Sequence, residues 1–152
     1  SHINDVYCLI GDREIAQLLQ NLKEVNADEA LLLTEAKVAE LKADLKKAEA
    51  KYSELVGRSS HPAILYQAAR FHQDQGRFPQ AIAVAERLET ILVTDLEVKQ
   101  LLIDCYLATN AWGKLATIYE SCFLLAPDLK KQKPILKAYQ KACKKAGRPP
   151  QE

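Results

Sequence analysis

Apolar residues recur at helical spacing along the chain, and no segment shows the alternating pattern of a strand bounded by turn residues. An apolar stripe over residues 12–25 predicts a first helix, with Asp12 as its N-cap. Asn26 and Glu29 then form a capping-box-like start for a second helix, which meets no helix breaker before about Val56. The pattern predicts an all-α protein that begins with a helical hairpin whose second helix is long.

The long helix carries a heptad pattern. Between Leu31 and Leu55, apolar positions alternate in steps of three and four residues, as at the a and d positions of a coiled coil. The candidate self-association residues are Leu31, Val38, Leu41, Leu45, Tyr52 and Leu55. This narrow seam, within residues 28–56, is compatible with a homodimeric coiled coil. Because Thr34 and Ala48 are small for the seam of a dimer, the pattern favours antiparallel pairing with the neighbouring helices inside one monomer.

The second half of the chain is organised as a repeat. Gly57 and the linker of residues 58–61 separate it from the N-terminal region, and Pro62 begins it. Gly76 and Asn110 lie 34 residues apart, each between two amphipathic segments, and both residue types readily adopt positive φ. The domains expected are therefore an N-terminal helical region (1–57), repeats with a C-terminal capping helix (62–146) and a short tail (147–152).

This arrangement resembles the tetratricopeptide repeat (TPR) family, whose units are helix–turn–helix pairs of 34 residues. The residues that fit the family pattern are Leu65, Ala68, Ala69, Gly76, Phe78 and Ala81 in the first unit and Leu102, Tyr106, Trp112, Tyr119, Cys122 and Pro127 in the second. The positions that depart from it are His72, Ala85, Val93, Lys99, Ile103 and Leu115. The resemblance implies a TPR-like α-solenoid of about two repeats over residues 62–146.

The resemblance also implies a groove, lined by the first helix of each unit, that binds a segment of another protein. The positions that the register assigns to this groove are Tyr66, Arg70, Gln73, Asp74, Glu97, Gln100, Asp104 and Leu107. Chaperone-binding members of the family use Lys, Asn and Arg in the groove to clamp a C-terminal carboxylate. Because Gln100 and Asp104 stand at such positions here, a clamp for chaperone tails is not expected.

No residue pattern in the chain indicates catalysis. No glycine-rich phosphate loop, nucleophile elbow or metal-binding spacing of His and Cys occurs, so we expect no enzyme activity, cofactor or metal site. The four cysteines contain no CxxC pair, which is typical of free thiols in a reducing compartment such as the cytoplasm. The composition is ordinary for a globular protein, with 48% hydrophobic and 27% charged residues. The resemblance to the TPR family implies a protein that holds another protein, as an adaptor, scaffold or assembly chaperone.

A basic helix near the C-terminus offers an alternative. The net charge of the chain is only +1, which excludes a general polyanion-binding surface. Eight basic residues and one acid nevertheless lie between Asp128 and Arg148. A stripe opposite the apolar face of this helix consists of Lys133, Lys137, Lys141, Lys144 and Arg148. The stripe indicates either a solvated capping helix or a surface, within 130–148, for nucleic acid or an anionic membrane.

Overall fold

The computed structural model describes residues 26–147, and every regular element within that range is an α-helix. The seven helices of this range are α1 (Ala27–Leu41), α2 (Leu45–Arg58), α3 (Pro62–Asp74), α4 (Phe78–Ile91), α5 (Leu96–Ala108), α6 (Trp112–Leu125) and α7 (Leu129–Ala146). They belong to two compact units that divide between His72 and Gln73, inside α3. The described residues confirm the all-α class. The predicted helix over residues 12–25 and the tail from Arg148 lie outside them.

Most helices begin at a residue that can accept the unpaired N–H groups of the first turn. Asn26 accepts a hydrogen bond from the N–H of Glu29 at 2.9 Å, as the sequence predicts. Asp95 accepts a hydrogen bond from the N–H of Val98 at 3.1 Å, and Asp128 accepts one from the N–H of Lys131 at 2.9 Å. These caps fix where α1, α5 and α7 start.

The helices recur in pairs with a nearly constant period. Their first helices begin at Ala27, Pro62 and Leu96, and their second helices at Leu45, Phe78 and Trp112. The turn of each pair contains a residue with positive φ, at Ala43, Gly76 and Asn110. The spacing predicted from Gly76 and Asn110 therefore extends one pair further toward the N-terminus than the sequence alone indicates.

The prediction of one long helix over residues 27–56 is wrong, because the chain turns at residues 42–44. Ala43 takes a left-handed conformation, with φ of 59°. The N–H of Asp44 donates to the carbonyl of Ala39 at 2.9 Å, which closes the end of α1. The carboxylate of Asp44 accepts from Lys47 N–H at 3.3 Å, which caps the start of α2. The turn lets the two helices pack against each other through small buried residues such as Ala36 and Ala48.

Replacing Ala43 with glycine is expected to stabilise the protein by about 0.5–1 kcal/mol. A left-handed residue with a Cβ costs roughly 1–2 kcal/mol, whereas glycine costs about 0.5–1 kcal/mol in unfolded-chain entropy. The matched control is Ala50→Gly, at an exposed position inside α2, which should destabilise by about 0.5–1 kcal/mol. Urea denaturation followed by circular dichroism measures both. Equal losses of stability in the two variants would contradict a left-handed turn at Ala43.

The turn also changes the meaning of the heptad seam. Tyr52 and Leu55 are completely buried in the monomer, and Val38 is half-buried. The leucines nearer the turn and the start of α1 remain exposed: Leu31 at 45%, Leu41 at 45% and Leu45 at 40%. The seam therefore does not run along one continuous helix. A coiled coil that runs over residues 28–56 as one continuous helix does not occur in this fold, whereas self-association through the exposed leucines stays a prediction.

In the first unit, α2 is held between α1 and α3 by its aromatic side chain. The Tyr52 ring stacks on Phe71 of α3 with centroids 4.7 Å apart. The hydroxyl of Tyr52 donates to Glu40 of α1 at 2.9 Å. An ion pair between Lys51 of α2 and Glu35 of α1, at 2.9 Å, also joins these two helices. Unit one thus has its own core, built largely on Tyr52.

In the second unit, each helix packs on the next: α4 on α5, α5 on α6, and α6 on α7. Their shared core contains the buried residues Leu88, Val98, Leu102, Cys105, Leu115, Ala116, Tyr139 and Cys143. The end of α7 is Gly147, which has φ of 71° as a C-cap, where the sequence predicts the helix to stop. Across residues 26–147, none of the helices combines the length and apolarity needed to cross a bilayer.

Candidate functional site

A cleft of about 330 Å³ opens in the second unit between α5, α6 and the beginning of α7, and we call it the α5–α7 cleft. It is lined by Leu96, Gln100 and Ile103 of α5, Tyr119, Cys122 and Leu125 of α6, Ala126 and Pro127 of the loop, and Lys131 and Ile135 of α7. Most of this lining is apolar. Since an apolar cavity of about 150 Å³ accommodates a benzene-sized group, the cleft has room for about two apolar side chains.

The loop between α6 and α7 gives the cleft its shape. Ala126 is extended, with φ of −70° and ψ of 131°, as expected for a residue before proline. Pro127 follows, and the next residue, Asp128, is the N-cap of α7. This short connection brings Lys131 and Ile135 to the side of the cleft that faces α5.

Exposed leucines surround the opening. Leu96, the first residue of α5, is 59% exposed, and Leu125, the last residue of α6, is 38% exposed. Both line the cleft, so their apolar surface is continuous with its interior. Apolar surface that is both concave and exposed is typical of a binding site.

The polar groups of the cleft are few and uncharged except for one. The Nε2 of Gln100 donates to Asp104 at 2.8 Å, which leaves the carbonyl oxygen of the Gln100 amide as an acceptor. Burial, followed by the nearby Cys122 and Asp104, raises the pKa of Tyr119, so its phenol is a donor at neutral pH. Burial also raises the pKa of the Cys122 thiol, which therefore stays protonated and is a poor nucleophile. Lys131 supplies the only cation of the lining.

The predicted groove residues are distributed over both units. Glu97, Gln100, Asp104 and Leu107 are exposed on α5 at steps of three and four residues, so they share one face of that helix. Gln73 is half-buried and Asp74 exposed at the end of α3. In the first unit, Tyr66 is half-buried and Arg70 is exposed. Among these eight, Gln100 is the one that lines the α5–α7 cleft.

The sequence reasoning missed the other residues that line the cleft. The repeat register assigns groove positions only to the first helix of each pair, whereas much of this cleft belongs to α6 and the loop after it. One signal was present: Ile103 departs from the repeat pattern by being larger than the pattern requires. Its side chain is 8% exposed and forms part of the cleft wall.

A polar cluster lies between α4, α5 and α6 in the same unit. Lys99 and Glu89 form an ion pair at 2.8 Å, and the Lys99 side chain is only 1% exposed. Beside it, Lys114 pairs with Glu86 at 2.9 Å, at the surface. Burial, and then Glu86 and Glu89, raise the pKa of Tyr106 far above its usual range. Burial and Asp104 raise the pKa of the Cys105 thiol to about 11. Tyr106 and Cys105 therefore stay protonated near neutral pH.

The basic stripe is exposed as predicted. Lys133, Lys137, Lys141 and Lys144 all lie on the solvent side of α7, whereas Arg148 lies outside the described residues. For metal ions, the described part of the chain contains no group of three or more His, Cys, Asp or Glu side chains placed to hold one.

The helix pairs repeat with a nearly constant period, and a local cleft opens between α5, α6 and α7. Consecutive helices pack on one another, and the turn of each pair contains a residue with positive φ. No family model, curated protein or solved structure matches this chain.

Proposed function

We propose that this protein is a non-enzymatic binding module of the tetratricopeptide type that holds a segment of another protein in the α5–α7 cleft. The observation that carries the proposal is the cleft itself, an open apolar cavity of about 330 Å³ on the helix to which the register assigns groove positions. Adaptors, scaffolds and assembly chaperones all act by holding a partner in this way.

The chemistry of the cleft indicates what the partner segment contains. Leu96, Ile135 and Leu125 favour one or two large apolar side chains as anchors. Lys131 favours a carboxylate beside the anchor on the α7 side. The amide oxygen of Gln100 and the phenol of Tyr119 offer one acceptor and one donor to a peptide backbone. The expected partner is therefore an apolar segment that carries an adjacent acidic residue.

Selection from a random peptide display library tests this proposal. Peptides enriched on the wild-type protein should contain large apolar residues next to Asp or Glu, and Leu96→Asp should weaken their binding at least about tenfold. Leu31→Asp is the matched control, because Leu31 is a similarly exposed leucine on α1 of the other unit. Its binding should equal that of the wild type.

A third variant distinguishes the cleft from the rest of the predicted groove face. Leu107 lies on α5 at 44% exposure but does not line the cleft. If Leu107→Asp weakens binding and Leu96→Asp does not, the partner lies on the predicted face beyond the cleft. Peptides that bind Leu96→Asp as tightly as the wild type would overturn the proposal.

A further inference from the structure

The solvent face of α7 is a second surface, chemically different from the cleft. Between Leu129 and Ala146 the helix contains seven lysines and no acidic residue. All seven are exposed. Within residues 26–147 none of them forms an ion pair, and the ammonium of Lys145 lies 4.7 Å from the centre of the Trp112 ring. Charge of one sign is thus concentrated here without compensation.

The packing of α7 on α6 determines which side of α7 faces the solvent. Tyr139, Ala142 and Cys143 are buried on the side of α7 that packs on α6. Five of the seven lysines occupy the opposite side and recur at steps of three and four residues, at Lys130, Lys133, Lys137, Lys141 and Lys144. The other two are Lys131, which lines the cleft, and Lys145, which lies beside Trp112. At 1.5 Å per residue the row runs for about 20 Å. The row lies on a continuous helix that packs on α6 and contains Pro134 between Lys133 and Lys137.

Exposed leucines flank this lysine row. Leu129 is 74% exposed and Leu136 is 38% exposed, and both lie within one helical turn of Lys133. Leu124, near the end of α6, is 77% exposed. A capping helix needs only polar residues on its outer face, so the leucines require a different explanation.

We propose that α7 attaches the second unit to an anionic membrane surface. Lipid phosphates and carboxylates neutralise the lysine row, while Leu124 and Leu129 enter the boundary between headgroups and acyl chains. Because the apolar side of α7 is already packed on α6, the helix remains folded and lies along the surface. Clustered basic residues combined with exposed apolar side chains are what such surfaces select.

Nucleic acid fits the same lysines less well. Stacking on bases requires exposed aromatic rings, but Tyr139, the one aromatic residue of α7, is 4% exposed on the opposite side, and the half-buried Trp112 ring of α6 is covered by Lys145. The exposed leucines would gain nothing from a phosphate backbone. An acidic protein segment could neutralise the lysines but would also leave Leu124 in water. A lipid surface uses both the charge and the leucines, whereas a nucleic acid or a purely acidic segment uses the charge alone.

Sedimentation with vesicles tests the proposal. The protein should bind phosphatidylcholine vesicles that contain phosphatidylserine and should not bind pure phosphatidylcholine, and binding should weaken steeply from about 50 to 200 mM salt. The triple variant Lys133→Glu/Lys137→Glu/Lys141→Glu should reduce binding at least about tenfold. The control triple Lys42→Glu/Lys46→Glu/Lys47→Glu makes the same charge change at exposed lysines of the first unit and should bind as the wild type does.

The leucines distinguish a membrane from other polyanions. Leu124→Ser/Leu129→Ser should reduce vesicle binding several-fold and leave the weaker binding to duplex DNA or polyglutamate unchanged. Three results would overturn the proposal: no binding to phosphatidylserine vesicles, equal loss in the control triple, or tighter binding to DNA or polyglutamate than to the vesicles. Since none of the substituted residues lines the cleft, these results are independent of peptide binding.

Discussion

Replacing Glu89 with alanine is expected to lower the free energy of unfolding by about 3–5 kcal/mol. Glu89 is the ion-pair partner of Lys99, at 2.8 Å, and the Lys99 side chain is 1% exposed. Without the carboxylate, the ammonium would remain buried with no opposite charge. An unpaired buried charge destabilises the folded state far more than the loss of an exposed ion pair does.

Removing Lys99 instead of Glu89 should have a smaller effect, because the side chain of Glu89 is less buried than that of Lys99. The Oε2 of Glu89 is buried, but the side chain as a whole is 24% exposed, so after Lys99→Met we expect its carboxylate to rotate toward water. Methionine also fills much of the space of the lysine chain. We expect Lys99→Met to change stability by less than about 1.5 kcal/mol. The double variant Glu89→Ala/Lys99→Met should be more stable than Glu89→Ala alone.

Urea denaturation of the four proteins measures this asymmetry. Lys114→Met is the control, since the Lys114–Glu86 pair is exposed, with 59% and 39% of the two side chains in contact with solvent. It should cost no more than about 1 kcal/mol. Equal effects of Glu89→Ala and Lys99→Met would show that the buried lysine does not depend on its partner.

Most element ends could be predicted because a local chemical signal marks them. Pro62 begins α3 because its fixed φ suits a first helical turn and its missing N–H has no partner to lose there. Gly76 and Gly147 end helices by adopting positive φ without a steric penalty. Asn110 does the same with φ of 54°. Single-residue preferences were enough at these positions.

The turn after α1 could not be predicted in this way. Alanine has no preference for the left-handed conformation that Ala43 adopts, and Lys42 and Lys46 are good helix formers. The turn also preserves the four-residue step from Leu41 to Leu45, so two separate apolar stripes have the spacing of one heptad seam. Only the repeat period places a turn here, and that period reflects packing between helices rather than local preference.

The α5–α7 cleft depends on tertiary structure even more strongly. Its lining joins residues from Leu96 to Ile135, which no helical or heptad period relates. Leu96 and Leu125 are exposed because of the way the helix ends are arranged around the cleft. In the sequence they cannot be distinguished from the leucines that are buried. The repeat register predicted Gln100 because it specifies which residues share one face of α5. It does not specify the cavity that forms between α5, α6 and α7.

Replacing Tyr52 with alanine is expected to lower the free energy of unfolding by about 3–5 kcal/mol, mostly by leaving a cavity. Tyr52 is 0% exposed, stacks on Phe71 at 4.7 Å and reaches Glu40 through its hydroxyl. Because one side chain contacts both neighbouring helices, its loss removes packing on α1 and on α3 at once.

Tyr52→Phe is the matched control, because it keeps the ring and removes only the hydrogen bond to Glu40. The side chain of Glu40 is 26% exposed and can be hydrated instead, so this variant should lose no more than about 1.5 kcal/mol. Urea denaturation gives both values, and light scattering after size exclusion gives the mass of each variant. If Tyr52→Ala were as stable as Tyr52→Phe and instead changed the mass from dimer to monomer, Tyr52 would belong to an interface between copies. The buried, doubly contacted ring predicts the opposite result: a large loss of stability with no change in the mass of the folded protein.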